Sequence, residues 1–407
     1  MGARHSGMHI LTTLVVAMLW AAPTTARAQG HGCEMLLRDG SVLEGKQLRR
    51  VGADFVVTLA TGERTVAGKE VVALFAGATT VVALPACHLH GGDVVFGAVA
   101  GGDAAGNELQ LQSPVFGRMP IAVDRLLTLA SPGAESQKAM QLPAGVDEAM
   151  FVRAAFGWDI VAGTVHQFGA EGVRFQPDGA PLPRWYRSEE FLALRLRSEG
   201  ATAFAPEAWL TTRLGDRLAT SVQGLDASGL QCTVLGSVAV KVPFADLASL
   251  TFAGDWLQLS DLVPSKVEET GFDGEVVHSW QVDRNVVGGA LVSGGRSYGK
   301  GLGMHSKCRL TFVVPEGVDR FWTRVAFDDS VAGLRLAPKA DVRVLVDGKV
   351  VFEQRDLTVG QLPQATGMLP VRAGGTLVLE VDHGRGRDLG DRINWLSPVF
   401  LPAMRRP

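Results

Sequence analysis

The 407-residue sequence predicts an all-β protein: an array of four small barrel-like β units followed by a C-terminal β-sandwich. Three observations predict it. Glycine is abundant at 49 residues and charged residues are sparse at 20%, a composition of turns and packed strands rather than of disorder or long helical coils. A weak pattern recurs four times at near-constant internal length. Beyond it, short alternating strands follow one another with hairpin turns between them. At roughly 150 residues per domain, this length holds two to four units.

The first element is a leader. Arg4, the apolar run Ile10–Ala22 and the small-x-small triplet Ala26-Arg27-Ala28 supply the three parts of a secretory signal peptide over residues 1–28. The run of 13 residues falls short of the ~20 that span a bilayer, so export is expected in place of a membrane anchor, and no later segment suggests a span. The expected location is secreted, periplasmic or cell surface. Loss of Arg4 and Arg27 takes the formal charge from −3 to −5. No basic stripe is present to neutralise a row of phosphates, so nucleic acid is excluded as a partner.

Cys33, Cys87, Cys232 and Cys308 all lie beyond the cleavage point. An oxidising compartment permits two disulfides in three connectivities, and four buried thiols are the alternative. Among the pairings, Cys33 with Cys87 is favoured because each stands shortly before a similar strand. Closing that span would stabilise by about 4 kcal/mol through loop entropy. No CxxC spacing suggests structural zinc.

The repeat opens at Asp39-Gly40-Ser41-Val42-Leu43-Glu44-Gly45, Gly91-Gly92-Asp93-Val94-Val95-Phe96-Gly97, Gly157-Trp158-Asp159-Ile160-Val161-Ala162-Gly163 and, in degenerate form, Leu214-Gly215-Asp216-Arg217-Leu218-Ala219-Thr220. Each opening reads as a polar turn and a short strand, and the glycine that ends three of them suits a bulge or sharp bend. Each copy closes with a polar residue ahead of an apolar strand ending at Leu74, Leu129, Leu194 or Leu250. The distances from Ser41, Asp93, Asp159 and Asp216 to those leucines are 33, 36, 35 and 34 residues, which argues one supersecondary type in four copies: 34–76, 83–130, 148–197 and 208–253. In outline the unit resembles SH3-like or Sm-like barrels, a likeness of pattern that carries no function. His88 and His90 share a strand face beside Cys87, but without a third ligand they read as residues near a turn. Trp158, Trp185 and Trp209 fall in different copies and read as core. No nucleophile elbow, zinc-protease, Walker or dinucleotide motif occurs, so this half reads as a non-catalytic interaction or spacer array.

From residue 255 aromatic residues, Gly-rich turns and Asp clusters become denser. Strands are expected around Ser279–Val282, Arg309–Val314, Phe321–Phe327, Val342–Val346 and Thr376–Val381, with Asp347-Gly348 as a hairpin signal, giving a β-sandwich over 255–402. The runs Trp256-Leu257-Gln258-Leu259-Ser260-Asp261-Leu262, Tyr298-Gly299-Lys300-Gly301-Leu302-Gly303-Met304-His305-Ser306, Phe327-Asp328-Asp329, Val346-Asp347-Gly348 and Asp391-Arg392-Ile393-Asn394-Trp395 stand in the order seen in the NPCBM family of carbohydrate-binding modules, which this region resembles. The resemblance implies a jelly-roll-like sandwich, often appended to glycoside hydrolases or surface proteins, with relatives that bind galactose-containing glycans and hold a structural calcium. The family usually ends in Asp-Trp where this chain has Asn394-Trp395, which removes a carboxylate from that position.

Sugars present C–H faces and hydroxyl edges, so their sites combine an aromatic plane with fixed donors and acceptors. His305, Trp395, Arg392, Asp391 and Trp280 supply those types and are the candidate carbohydrate-binding residues; Trp280 and Trp322 also read as core, and Trp395 and His305 fit either role. Asp328 and Asp329 are the candidate calcium ligands, or else a turn whose carboxylates take up backbone N–H groups. Gly299, Gly301 and Gly303 are expected to allow a tight backbone path. The expected function is an exported, non-catalytic carbohydrate-binding protein whose repeats present the sandwich to a glycan or polysaccharide. The alternative is an envelope assembly protein that binds other envelope proteins and keeps the sandwich as structure. A glycoside hydrolase, third, would need two carboxylates some 5–9 Å apart across a cleft.

Overall fold

Each repeat is built by a chain that must bury alternate residues within about 40 positions, and it does so by bending one strand sharply. In the first copy the strand Cys33–Leu37 turns at Asp39-Gly40 into Val42–Gly45, continues through Gln47–Val51, Asp54–Leu59 and Gly62–Val66, and returns over a 3-10 turn at Gly68–Glu70 to Val71–Phe75. Gly40 sits at φ 77°, a conformation costly to other residues. The returning strand pairs with the opening one, Met35 opposite Leu74. The other copies repeat this closure, with Cys87 opposite Leu129, Met150 opposite Leu194 and Leu210 opposite Leu250. The bend falls at Gly45, Gly97 and Gly163, where a Cβ would lie 2.3 Å from Val57 Cγ1, 2.7 Å from Gln112 O and 2.2 Å from Gln176 O. In the fourth copy Thr220 holds the place, and its Oγ1 donates to Thr233 O at 3.0 Å. The units are open: in the first two, three strands form a ladder separate from the opening and closing strands.

The computed structural model describes residues 32–80, 84–132, 146–197, 205–271, 277–334, 337–385 and 388–402. The leader expected at 1–28 lies outside them. Among the described residues no helix is long and apolar enough to cross a membrane.

The copies join through their closing strands. Leu74 of the first pairs with Leu250 of the fourth, and Leu129 of the second with Leu194 of the third. The second and fourth copies meet at Val94 and Arg217. Here the repeat's aspartates are exchanged: Asp93 accepts from Ala219 N at 2.8 Å, and Asp216 accepts from Phe96 N at 2.7 Å and from Thr212 Oγ1 at 2.5 Å. Both are buried. The ladder therefore runs first, fourth, second, third, and at its outer copies the equivalent Ser41 and Asp159 are exposed.

This order separates the cysteines. Five strands of the ladder stand between those of Cys33 and Cys87, whereas a disulfide needs Cα atoms within about 7 Å. All four cysteines are buried free thiols, so the favoured pairing is corrected. Burial pushes the Cys87 thiol up to about 12. Trp185, read as core from the sequence, is 53% exposed.

The C-terminal region is a sandwich of two antiparallel sheets. One runs Gln281–Val282, Gly301–Met304, Ile393–Pro402, Val318–Phe327 and Gln364–Ala365; the other runs Lys266–Glu269, Cys308–Val313, Thr376–His383, Lys339–Val346 and Lys349–Thr358. Nearly all of Ile393–Pro402 is buried because both its faces are covered. Ile393, Trp395 and Phe400 point between the sheets, while Leu396, Val399 and Leu401 join Trp322 and Ala326 in the core of the repeats. Repeats and sandwich thus share one apolar core. Around it, Glu34 receives both Arg296 and Arg324, Arg38 pairs with Asp255 at 2.5 Å, and Phe75 lies 4.7 Å from the Tyr298 ring.

Candidate functional site

Strand register decides which sequence candidates meet. Met304 pairs with Ile393, and Phe327 with Ile393 from the other side. His305, Asp391-Arg392 and Asp328-Asp329 are therefore the residues where three neighbouring strands end together. Trp280 joins them, because Gln281 pairs with Gly303.

At this end His305 is buried, and its Nδ1–H donates to Ser306 O at 2.8 Å. Its ring lies 4.6 Å from that of the exposed His278. Burial is the main cause that lowers its pKa, with the neighbouring His278 adding and the Ser306 carbonyl opposing. Ser306 Oγ donates to Asp391 Oδ2 at 2.6 Å. The other carboxylate oxygen, Oδ1, is buried without a hydrogen-bond partner. Burial, opposed by the Ser306 hydroxyl and reinforced by Asp388, pushes Asp391 up to about 7. The half-buried Arg392 donates to Ser330 Oγ at 3.1 Å, which holds its guanidinium at the rim. Trp280 is half-buried, and its backbone N–H donates to Glu269 Oε1 at 2.6 Å. An indole, two imidazoles tilted at 43° and a guanidinium thus stand at one end of the sandwich, with the Asp391 carboxyl enclosed behind them.

Two candidates do not belong to it. Trp395 has no exposure and fills the space between the sheets, so it offers no ring face to a ligand. Asp328 and Asp329 do not fit a calcium ion. Asp328 accepts from Asn394 Nδ2 at 2.7 Å, Ser330 N at 3.0 Å, Asn285 Nδ2 at 3.1 Å and Val292 N at 3.3 Å. Asp329 accepts from Gly294 N at 2.9 Å and Gly295 N at 2.8 Å. Four N–H donors fill the lone-pair sites of Asp328, Asp329 is engaged by one on each oxygen, and among the described residues no cluster of three ligand-type side chains forms. Asn394 makes sense in this setting: its amide donates to Asp328, where a second carboxylate would be repelled.

The glycine run serves packing. A Cβ on Gly301 would lie 2.5 Å from Trp395 O, on Gly303 2.4 Å from Arg284 O, and on Gly299 2.9 Å from Thr211 Oγ1 of the fourth repeat. Lys300, 2% exposed, bonds Asp261 and lies 3.3 Å from Asp283 and 4.7 Å from the Trp209 ring centroid. Arg217 of the fourth repeat completes the group, 2.5 Å from Asp283. Sequence reasoning missed His278, Ser306 and Asp388. Their only signal was position, since Ser306 ends a quoted motif and His278 and Asp388 stand within a few residues of one.

Residues 256–401 match the model described as the NPCBM/NEW2 domain. The sandwich is an NPCBM/NEW2 domain. No curated protein matches the chain. Among solved structures, the chain is similar to CBM51 from the Clostridium perfringens GH95 in complex with methyl-galactose, at 24% identity over 36% of this chain and 99% of that one, TM-score 0.32. It is also similar to CBM51-2 with the INT domains of Clostridium perfringens ZmpB in complex with GlcNAc, at 19% identity over 46% of this chain and 41% of that one, TM-score 0.32. A third is the tandem CBM51 modules of the family 98 glycoside hydrolase of Streptococcus pneumoniae, at 11% identity over 91% and 88%, TM-score 0.30. The family match covers residues 256–401 and does not extend over the four repeats.

Proposed function

We propose that the protein is an exported, non-catalytic carbohydrate-binding protein that holds a hexopyranose at the strand end marked by Trp280, His278, His305, Asp391 and Arg392. One observation supports this reading: in a domain of a carbohydrate-binding family, strand register brings Trp280, His305, Asp391 and Arg392 to one end, with the half-buried Trp280 packed on the inter-sheet core and His278 exposed. The indole suits a C–H face, and the guanidinium and imidazole suit hydroxyl edges, while the wholly buried Asp391 holds Ser306 from behind. The ligands of the CBM51 structures, methyl-galactose and GlcNAc, make galactosides and N-acetylhexosamines the first sugars to try. A single shallow site of millimolar to micromolar affinity supplies about 4 to 8 kcal/mol, so attachment to a surface polymer would draw on several sites.

A glycan array read with the full chain tests it. Binding to a subset of neutral glycans is expected, lost in Arg392→Ala and Trp280→Ala while the circular dichroism spectrum is kept. No binding to any glycan by the folded chain contradicts it.

A further inference from the structure

The outer face of the third repeat carries a second assembly of the same kinds of group. Trp185, 53% exposed, lies on the strand Arg184–Arg187, which pairs on one side only and forms an end of the long ladder. It stands opposite Arg174, and Arg174 stands opposite Gln167, so an indole, a guanidinium and an amide form a row across three strands. Directly opposite residues of an antiparallel pair share a face. Arg174 is exposed and forms no ion pair among the described residues. The adjacent row is Gly169, Gly172 and Arg187. Its first glycine makes room for the indole, since a Cβ there would come within 2.9 Å of Trp185 Cζ3. Beside these glycines opens a hollow of about 420 Å³ lined by Ala170, Glu171, Arg187, Ser188 and Glu189. Arg187 and Glu189 are 3.9 Å apart and both largely exposed.

We infer that this face is a second glycan-binding platform, taking a neutral hexopyranose stretch of a polysaccharide. The indole accepts the C–H face of the ring. Arg174 and Arg187 donate to hydroxyls, and Glu171 and Glu189 accept from them. Glu171 and Glu189 balance Arg174 and Arg187, so these groups present no net positive charge to draw an acidic sugar. The cross-strand neighbours of Trp185 are polar or glycine, and one indole ringed by hydrogen-bonding groups suits a hydroxyl-bearing ring. The inference stands apart from the sandwich site, since it uses none of its residues. Two platforms on one body would raise avidity for a polymer over a single sugar.

The test follows the indole N–H resonances of the ¹⁵N-labelled full chain during titration with neutral oligosaccharides, Trp185 being assigned by its loss in Trp185→Phe. Trp185 is expected to shift with at least one oligosaccharide, with affinity falling about tenfold in Arg174→Ala, ~1.4 kcal/mol. A Trp185 resonance unmoved by every neutral oligosaccharide overturns the inference. So does one moved only by acidic oligosaccharides, or only by raising the concentration of the chain itself, which would mean a second copy pairing along the open strand edge. The Trp280 resonance reports separately on the sandwich, so either site can fail alone.

Discussion

Asp391 shows how one residue ties stability to pH at the candidate site. Its folded pKa of about 7 lies above the ordinary carboxylate value because burial and Asp388 disfavour the charged form. The folded protein therefore holds a proton there that the unfolded chain has released, and stability falls as pH rises from about 4 to about 7. Asp391→Asn is expected to leave stability unchanged near pH 4 and to raise it near pH 8 by about 1–3 kcal/mol, read from urea titrations at the two values. Trp395 behaves differently. Being wholly enclosed, Trp395→Ala should cost about 3–5 kcal/mol of folding stability, seen as a lower urea midpoint, so any loss of binding it caused would report on the core. The sequence could place Trp395 in a motif but not on a face, because the strand that holds it is apolar on both sides and has no alternation to read.

The repeats were legible at the level of elements. The landmark leucines chosen from spacing alone are the residues that pair across copies, Leu74 with Leu250 and Leu129 with Leu194. The glycines expected at a bend stand where another strand crosses within van der Waals reach. What spacing could not give is the order of the copies, since that depends on which polar side chains are exchanged. Asp93 and Asp216 occupy equivalent positions and each caps the other's unit, whereas Asp159 faces solvent. Asp216→Ala is expected to destabilise by about 2–4 kcal/mol because buried N–H donors lose their acceptor, while Asp159→Ala stays within about 0.5 kcal/mol. Thermal melts of the two variants, side by side, check the contrast. The disulfide expectation failed at this same level: Cys33 and Cys87 begin similar strands, and similarity of position in a repeat says nothing of nearness in space.

At the scale of the molecule, the sandwich and the repeats behave as one body because they share a core. One sheet of the sandwich is covered on its outer face by the repeats, and Trp322, Leu396, Val399 and Leu401 would meet water without them. Asp283 and Lys300 would lose Arg217 and Trp209. Residues 255–402 expressed alone should therefore melt at lower temperature than the full chain and bind a hydrophobic dye, and the full chain should unfold in a single transition. An isolated sandwich as stable as the full chain would contradict the shared core. The sequence concealed this coupling, since the glycine-lysine run that marks the family gives no sign that it packs against Thr211 and Trp209.

The remaining question is where a sugar sits. The most direct measurement is a crystal structure of the full chain soaked with a glycan selected on the array. A pyranose ring is expected against Trp280, within hydrogen-bonding reach of Arg392 and of His278 or His305, with Trp395 still enclosed between the sheets. Density for the sugar at another part of the sandwich, with that strand end bare, would contradict it.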